Sequence, residues 1–169
     1  QKKMSPLLED FMKTQRPDGV SQVTLVPEKK SATPYKNHLR TLFQNNEAVI
    51  YAMIPRTFNA KDTNGDDVID GEEETGTFIN AIERLDELVG YGVNTIHMLP
   101  IHEPGKEVAL GTAGSIYAPK DYLGIDPKLD DPNDPRSVKE EAKQFIDECH
   151  KRGIAVMIDL PSCASVDMY

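Results

Sequence analysis

Three short apolar runs constrain this chain most: Ala48 to Ile54, Asn94 to Leu99 and Ile154 to Leu160, each separated from the next by an amphipathic segment. Runs of five to seven β-branched and apolar residues with little alternation are the pattern of strands covered on both faces. Between the first two, Phe78, Ile79, Ile82, Leu85 and Leu88 recur three or four apart, predicting one helix that Gly90 and Gly92 end. Between the second and third, Val138, Ala142, Phe145, Ile146 and Cys149 form a second helical stripe that Gly153 stops. That helix starts either at Asp134-Pro135 or at a capping box of Ser137 with Glu140. Strand, helix, strand, helix, strand is the signature of parallel strands joined by crossover helices, so the fold class is α/β. In such sheets chemistry collects at the carboxyl ends of the strands. The unusual loops lie there.

The loop after the first strand reads Asp62-Thr63-Asn64-Gly65-Asp66-Asp67-Val68-Ile69-Asp70, with acidic or amide side chains at every second position across a glycine turn. Ca²⁺ is a hard cation that takes six to eight oxygen ligands. Asp62, Asn64, Asp66 and Asp70, with the carbonyl of Val68, supply such oxygens, and Glu72, Glu73 or Glu74 extends the set. The competing reading is a solvated acidic loop. One departure from an EF-hand is plain: Asp67 stands where that loop usually has glycine.

Composition narrows the partners. With 169 residues and 38% hydrophobic content the chain can bury one core, and a net charge of −9 argues against nucleic acid or an anionic membrane surface. No apolar run has the length of a membrane span. Cys149 and Cys163 fall at opposite ends of the third strand, about 20 Å apart, so both are expected as free thiols. Residues 1–47 give weaker signals: a helix near Pro6 to Thr14, a turn at Pro17 to Gly19, and a helical stretch around Tyr35 to Phe43.

Four segments in order carry a resemblance: AVIYAMIPRTFNAKDTNGDDVID, IERLDELVGYGVNTIHMLPI, GSIYAPKDYLGIDP and CHKRGIAVMIDLPS. Together they resemble the opening third of the catalytic barrel of α-amylase-type enzymes, glycoside hydrolase family 13, over about residues 48 to 162. The resemblance implies the first three β/α units of a (β/α)₈ barrel in residues 48–169, preceded by an amino-terminal extension, 1–47. It implies calcium as cofactor, held by Asp62, Asn64, Asp66, Val68 and Asp70. It also implies an α-glucan or maltooligosaccharide as ligand. Tyr117, four residues before Asp121, matches the aromatic that stacks on a sugar ring, and Asp159 matches the aspartate that opens the family's motif at the end of the third strand, so both are expected on the substrate side, Asp159 largely as structural support. Read without the resemblance, Tyr117 is a packing or surface tyrosine and Asp159 a strand-end carboxylate satisfied by backbone N–H groups.

The match breaks in one place. The family motif D-x-x-x-N-H is here Asp159-Leu160-Pro161-Ser162-Cys163-Ala164, so neither a second calcium site nor a substrate-contacting histidine is expected there. The resemblance also implies a retaining mechanism run by carboxylates that follow the fourth, fifth and seventh strands. A whole barrel takes about 250 residues. The chain is therefore read as an amino-terminal piece, inactive alone and completed by the missing strands. Two other classes stay open: a noncatalytic, calcium-stabilised carbohydrate-binding or scaffold protein, and a small calcium-binding interaction module, against which the single acidic loop argues.

Overall fold

The computed structural model describes residues 39–69, 74–109, 111 and 113–168. The helix and turn expected before residue 20 lie outside these residues. The described chain opens with helix α1 (Leu39–Gln44), then strand β1 (Ile50–Met53) and the one-turn helix α2 (Pro55–Phe58). Helices α3 (Phe78–Ile82) and α4 (Leu85–Gly90) lead into strand β2 (Thr95–Met98). A long loop with one 3₁₀ turn (Pro127–Leu129) precedes helix α5 (Val138–Lys151) and strand β3 (Ala155–Ile158).

The three strands form one parallel sheet in the order β1-β2-β3. Ala52, His97 and Met157 stand in register, as do Met53, Met98 and Ile158. Each strand is shorter than its apolar run, although inter-strand backbone bonds continue into the flanks, as where Leu99 N donates to the Met53 carbonyl and Asp159 N to the Met98 carbonyl. At the amino end Asn94 stitches the first pair: its Oδ1 accepts from Val49 N at 2.9 Å and its Nδ2 donates to the Glu47 carbonyl at 2.8 Å.

Successive strand side chains alternate between faces. Met53, Ile96 and Met98 go to the helix layer, where they are buried with Phe78, Leu85, Leu88, Phe145 and Ile154. Phe78 and Phe145 meet at 6.2 Å between ring centroids, joining α3 to α5. Cys149 is buried in this layer, and burial pushes its thiol up to about 12. Both cysteines are free thiols.

The single helix expected over Phe78 to Leu88 is two helices broken at Glu83-Arg84. Polar contacts from the turn after β1 cause the break. Asn59 Nδ2 donates to the Asn80 carbonyl at 2.6 Å, competing with the next helical turn. Arg84 donates to the Phe58 carbonyl, stacks 4.6 Å from the Phe58 ring centroid and grips Glu87 at 2.9 Å. Apolar periodicity runs through the break, so periodicity alone could not show it. The second helix starts at the capping box: Ser137 Oγ accepts from Glu140 N, and Glu140 Oε2 accepts from Ser137 N at 3.0 Å.

Candidate functional site

Two regions at the carboxyl ends of the strands hold the residues singled out from the sequence. The first is the acidic loop. Its neck is closed by Lys61 N donating to the Glu74 carbonyl at 2.9 Å and by the Lys61–Glu74 ion pair at 3.6 Å. Gly76 then presses against the Pro55 and Arg56 backbone so closely that a Cβ would collide at 2.1 Å.

Inside the loop, side-chain oxygens fold the backbone. Asp62 Oδ1 accepts from Gly65 N at 2.5 Å and Asp62 Oδ2 from Asp67 N at 2.8 Å. Asn64 Oδ1 accepts from Asp66 N, and Asp66 Oδ1 from Val68 N. The alternation of acidic and amide residues is thus a ladder of Asx turns. Asp67, in the position an EF-hand gives to glycine, adopts φ +63°, a left-handed conformation that Asp tolerates better than most residues. Val68 and Ile69 are exposed, outside the core. The oxygen donors are hard and suit calcium chemically. Among the described residues no three His, Cys, Asp or Glu side chains are grouped to hold a metal. Asp70, Glu72 and Glu73 lie outside the described residues.

The second region lies beyond β2 and β3. Tyr117, on the loop after β2, donates its hydroxyl to Asp159 Oδ2 at 3.0 Å across 42 residues of sequence. That bond raises the tyrosine pKa above its ordinary value. Tyr117 is 45% exposed, so its ring is open to a ligand while its hydroxyl is engaged. Asp159 is therefore held by a side chain, and the expectation of a carboxylate satisfied by backbone N–H groups is corrected.

A brace fixes the loop that carries Tyr117. His102 Nδ1 lies 2.8 Å from the Gly124 carbonyl and donates to it, and the ring meets Tyr122 edge-on at 6.0 Å. The Tyr122 hydroxyl donates to the Cys163 carbonyl. Gly105 lies where any Cβ would overlap Ser165, and Lys106 N donates to Asp167 Oδ2 at 2.9 Å. Backbone donation holds the Asp167 carboxyl near 2, below its ordinary 3.8. Cys163 belongs to this brace through its backbone carbonyl. Sequence reading missed His97, whose Nε2 stands 3.7 Å from the same Asp159 Oδ2. The available signal was its place between Ile96 and Met98, where strand alternation turns it away from the helix layer.

No family model matches the chain. A cyclomaltodextrinase from Bacillus sp is 28% identical over 123 residues, 67% of this chain and 20% of its own length. An oligo-1,6-glucosidase from Heyndrickxia coagulans is 28% identical over 114 residues, 68% of this chain and 17% of its own length. Among solved structures, an α-amylase from Lactobacillus plantarum matches 69% of this chain and 23% of that chain, at 27% identity and a TM-score of 0.54. The chain thus spans about a fifth of the length of the curated relatives it matches.

Proposed function

We propose, from the premise that this chain belongs to the α-amylase family (glycoside hydrolase family 13) and shares its barrel fold, that it supplies the calcium loop and part of the sugar cleft of an α-glucan-active glycoside hydrolase or transglycosidase. The meeting of Tyr117 with Asp159 carries this reading. A pyranose presents an apolar C–H face beside a rim of hydroxyls. A half-exposed aromatic ring next to a carboxylate matches both parts.

Retaining glycosidases need a carboxylate nucleophile and a carboxylic acid about 5 Å apart across the scissile bond. At the meeting of Tyr117 with Asp159, the carboxylate is that of Asp159, and its Oδ2 accepts the Tyr117 hydroxyl. Its part is to orient the aromatic ring and accept from a sugar hydroxyl. The 169 residues alone are therefore inactive, and the strands that pair beside β1 and β3 belong to the rest of a barrel. Ile50 at 46% and Ile158 at 42% exposure support this, because edge strands with bare apolar side chains favour pairing with another segment.

Calcium is the proposed cofactor, held through Asp62, Asn64, Asp66, the Val68 carbonyl and Asp70. It would neutralise the loop's carboxylates and stabilise the conformation that the Asx turns already favour.

Calorimetry with maltooligosaccharide tests the cleft. Tyr117→Ala in the protein as its source makes it should weaken binding by about 1 to 3 kcal/mol, the size of other aromatic stacking. Unchanged affinity would reduce Tyr117 to a packing residue. A hydrolysis assay on residues 1–169 should give no turnover; turnover by a soluble monomer would overturn the inactivity. The absence of an imidazole at Ala164 favours a second reading, a noncatalytic carbohydrate-binding protein of the same fold. Binding without hydrolysis by the source protein would select it.

A further inference from the structure

His97 lies in the central strand, yet it is not core. Its neighbours Ile96 and Met98 are at most 1% exposed and face the helices, while the His97 side chain is 39% exposed on the opposite face. In register beside it stand the small Ala52 and the unbranched Met157. That face is where a barrel of this kind packs bulky branched residues. An imidazole there fills space poorly and needs polar company. Its company is Asp159, whose Oδ2 lies 3.7 Å from His97 Nε2 and accepts the Tyr117 hydroxyl at 3.0 Å. Two side chains, from β2 and from the loop after β2, thus converge on one oxygen of a third at the end of β3.

We propose that His97 is a further sugar-contacting residue of this cleft, one that shares a glucosyl hydroxyl group with Asp159. The proposal rests on the cleft reading given above and names the residue that completes its polar side. A separation of 3.7 Å is too long for a direct hydrogen bond. It suits a bridge: one hydroxyl oxygen about 2.8 Å from both atoms can donate to the carboxylate and accept from the imidazole N–H. A sugar hydroxyl is donor and acceptor at once, which a simple anion or cation is not. Asp159 Oδ1 has no hydrogen-bond partner among the described residues, so the carboxylate keeps capacity for a second hydroxyl. The competing account is a partly hydrated surface pair of little energetic weight. Against it stands the shared oxygen, already oriented by Tyr117 beside an open aromatic face.

Maltotriose binding by the protein as its source makes it, measured by calorimetry, tests the assignment. His97→Ala should weaken binding about tenfold, the scale of one hydrogen bond. His97→Gln, whose side-chain amide can donate in place of the imidazole, should return affinity to within about threefold of the parent. Binding unchanged in His97→Ala but lost in Tyr117→Ala would overturn the role of His97 and leave the cleft standing. Equal loss in His97→Ala and His97→Gln, with both melting temperatures lowered, would show a merely structural histidine. If the parent binds no maltotriose, the cleft reading itself fails and takes this inference with it. One measurement needs no folded His97→Ala protein: in the parent, maltotriose should shift the His97 imidazole C–H resonance, identified by its loss in His97→Gln. A resonance that does not move at saturating sugar overturns the proposal.

Discussion

Helix α5 and the acidic loop begin from the same chemistry and come to opposite ends. In α5, the Ser137–Glu140 box satisfies the first backbone N–H groups and hands them to a fourteen-residue helix with Phe145, Ala142 and Cys149 buried beneath it. In the loop, Asp62, Asn64 and Asp66 make the same kind of side-chain-to-backbone bonds, but Asp62 to Ile69 stay exposed and Val68 lies outside the core. A capping bond is worth about 1 kcal/mol and orders a segment only when packing or a ligand completes it. Burial completes the helix. The loop's completion is left to charge neutralisation, which is what calcium would provide.

The largest expected effect lies under the helix. Phe145→Ala should cost about 3 to 5 kcal/mol in chemical denaturation, since the ring is fully buried against Phe78. A loss below 1 kcal/mol would mean that α5 is not tied to the core as described. The loop should respond to the proposed ion: calcium at a hundredfold excess over its dissociation constant should stabilise the fold by about 2.7 kcal/mol. Asp66→Ala should abolish the difference between melts in calcium and in chelator; an undiminished difference would place the ion elsewhere. Ser137→Ala should cost about 1 kcal/mol with or without calcium, which separates a cap supported by packing from one supported by a ligand.

The smallest expected effect concerns acid. The Asp167 carboxyl is lowered to about 2 from 3.8 by Lys106 N–H donation, so its contribution is complete above the ordinary value and is lost as pH falls from 3.8 towards 2. Asp167→Asn should flatten the acid limb of the stability curve in that window. Glu141 acts in the opposite sense: burial raises its carboxyl pKa, so the folded state holds the proton more tightly and stability falls as pH rises above the ordinary 4.5. Glu141→Gln should reduce that decline, measured as melting temperature across the weakly acidic range.

Much of the architecture is legible in the sequence. The short apolar runs contain the strands at 50–53, 95–98 and 155–158, and Gly90, Gly92 and Gly153 end helices as their positions suggest. The break at Arg84 was not readable, because Asn59 and Phe58, which cause it, lie more than twenty residues upstream. The loop's residue types were legible as hard oxygen donors. Their use in folding the loop's own backbone was not, since a side-chain oxygen serves an N–H group or a cation with the same lone pairs.

The sequence by itself determined the local quantities: which segments alternate or recur with helical period, where glycines permit a left-handed turn, and which side chains carry oxygen. It placed Tyr117 and Asp159 in loops at the same end of the sheet. Only the tertiary structure decided that they share a hydrogen bond, that His97 reaches the same oxygen, and that His102, Tyr122 and Asp167 brace the loop between them. Parallel strands bring residues about forty to sixty positions apart to one edge, and their register decides which of them touch. No local pattern encodes that register, because it follows from how three helices and three strands bury a common apolar face.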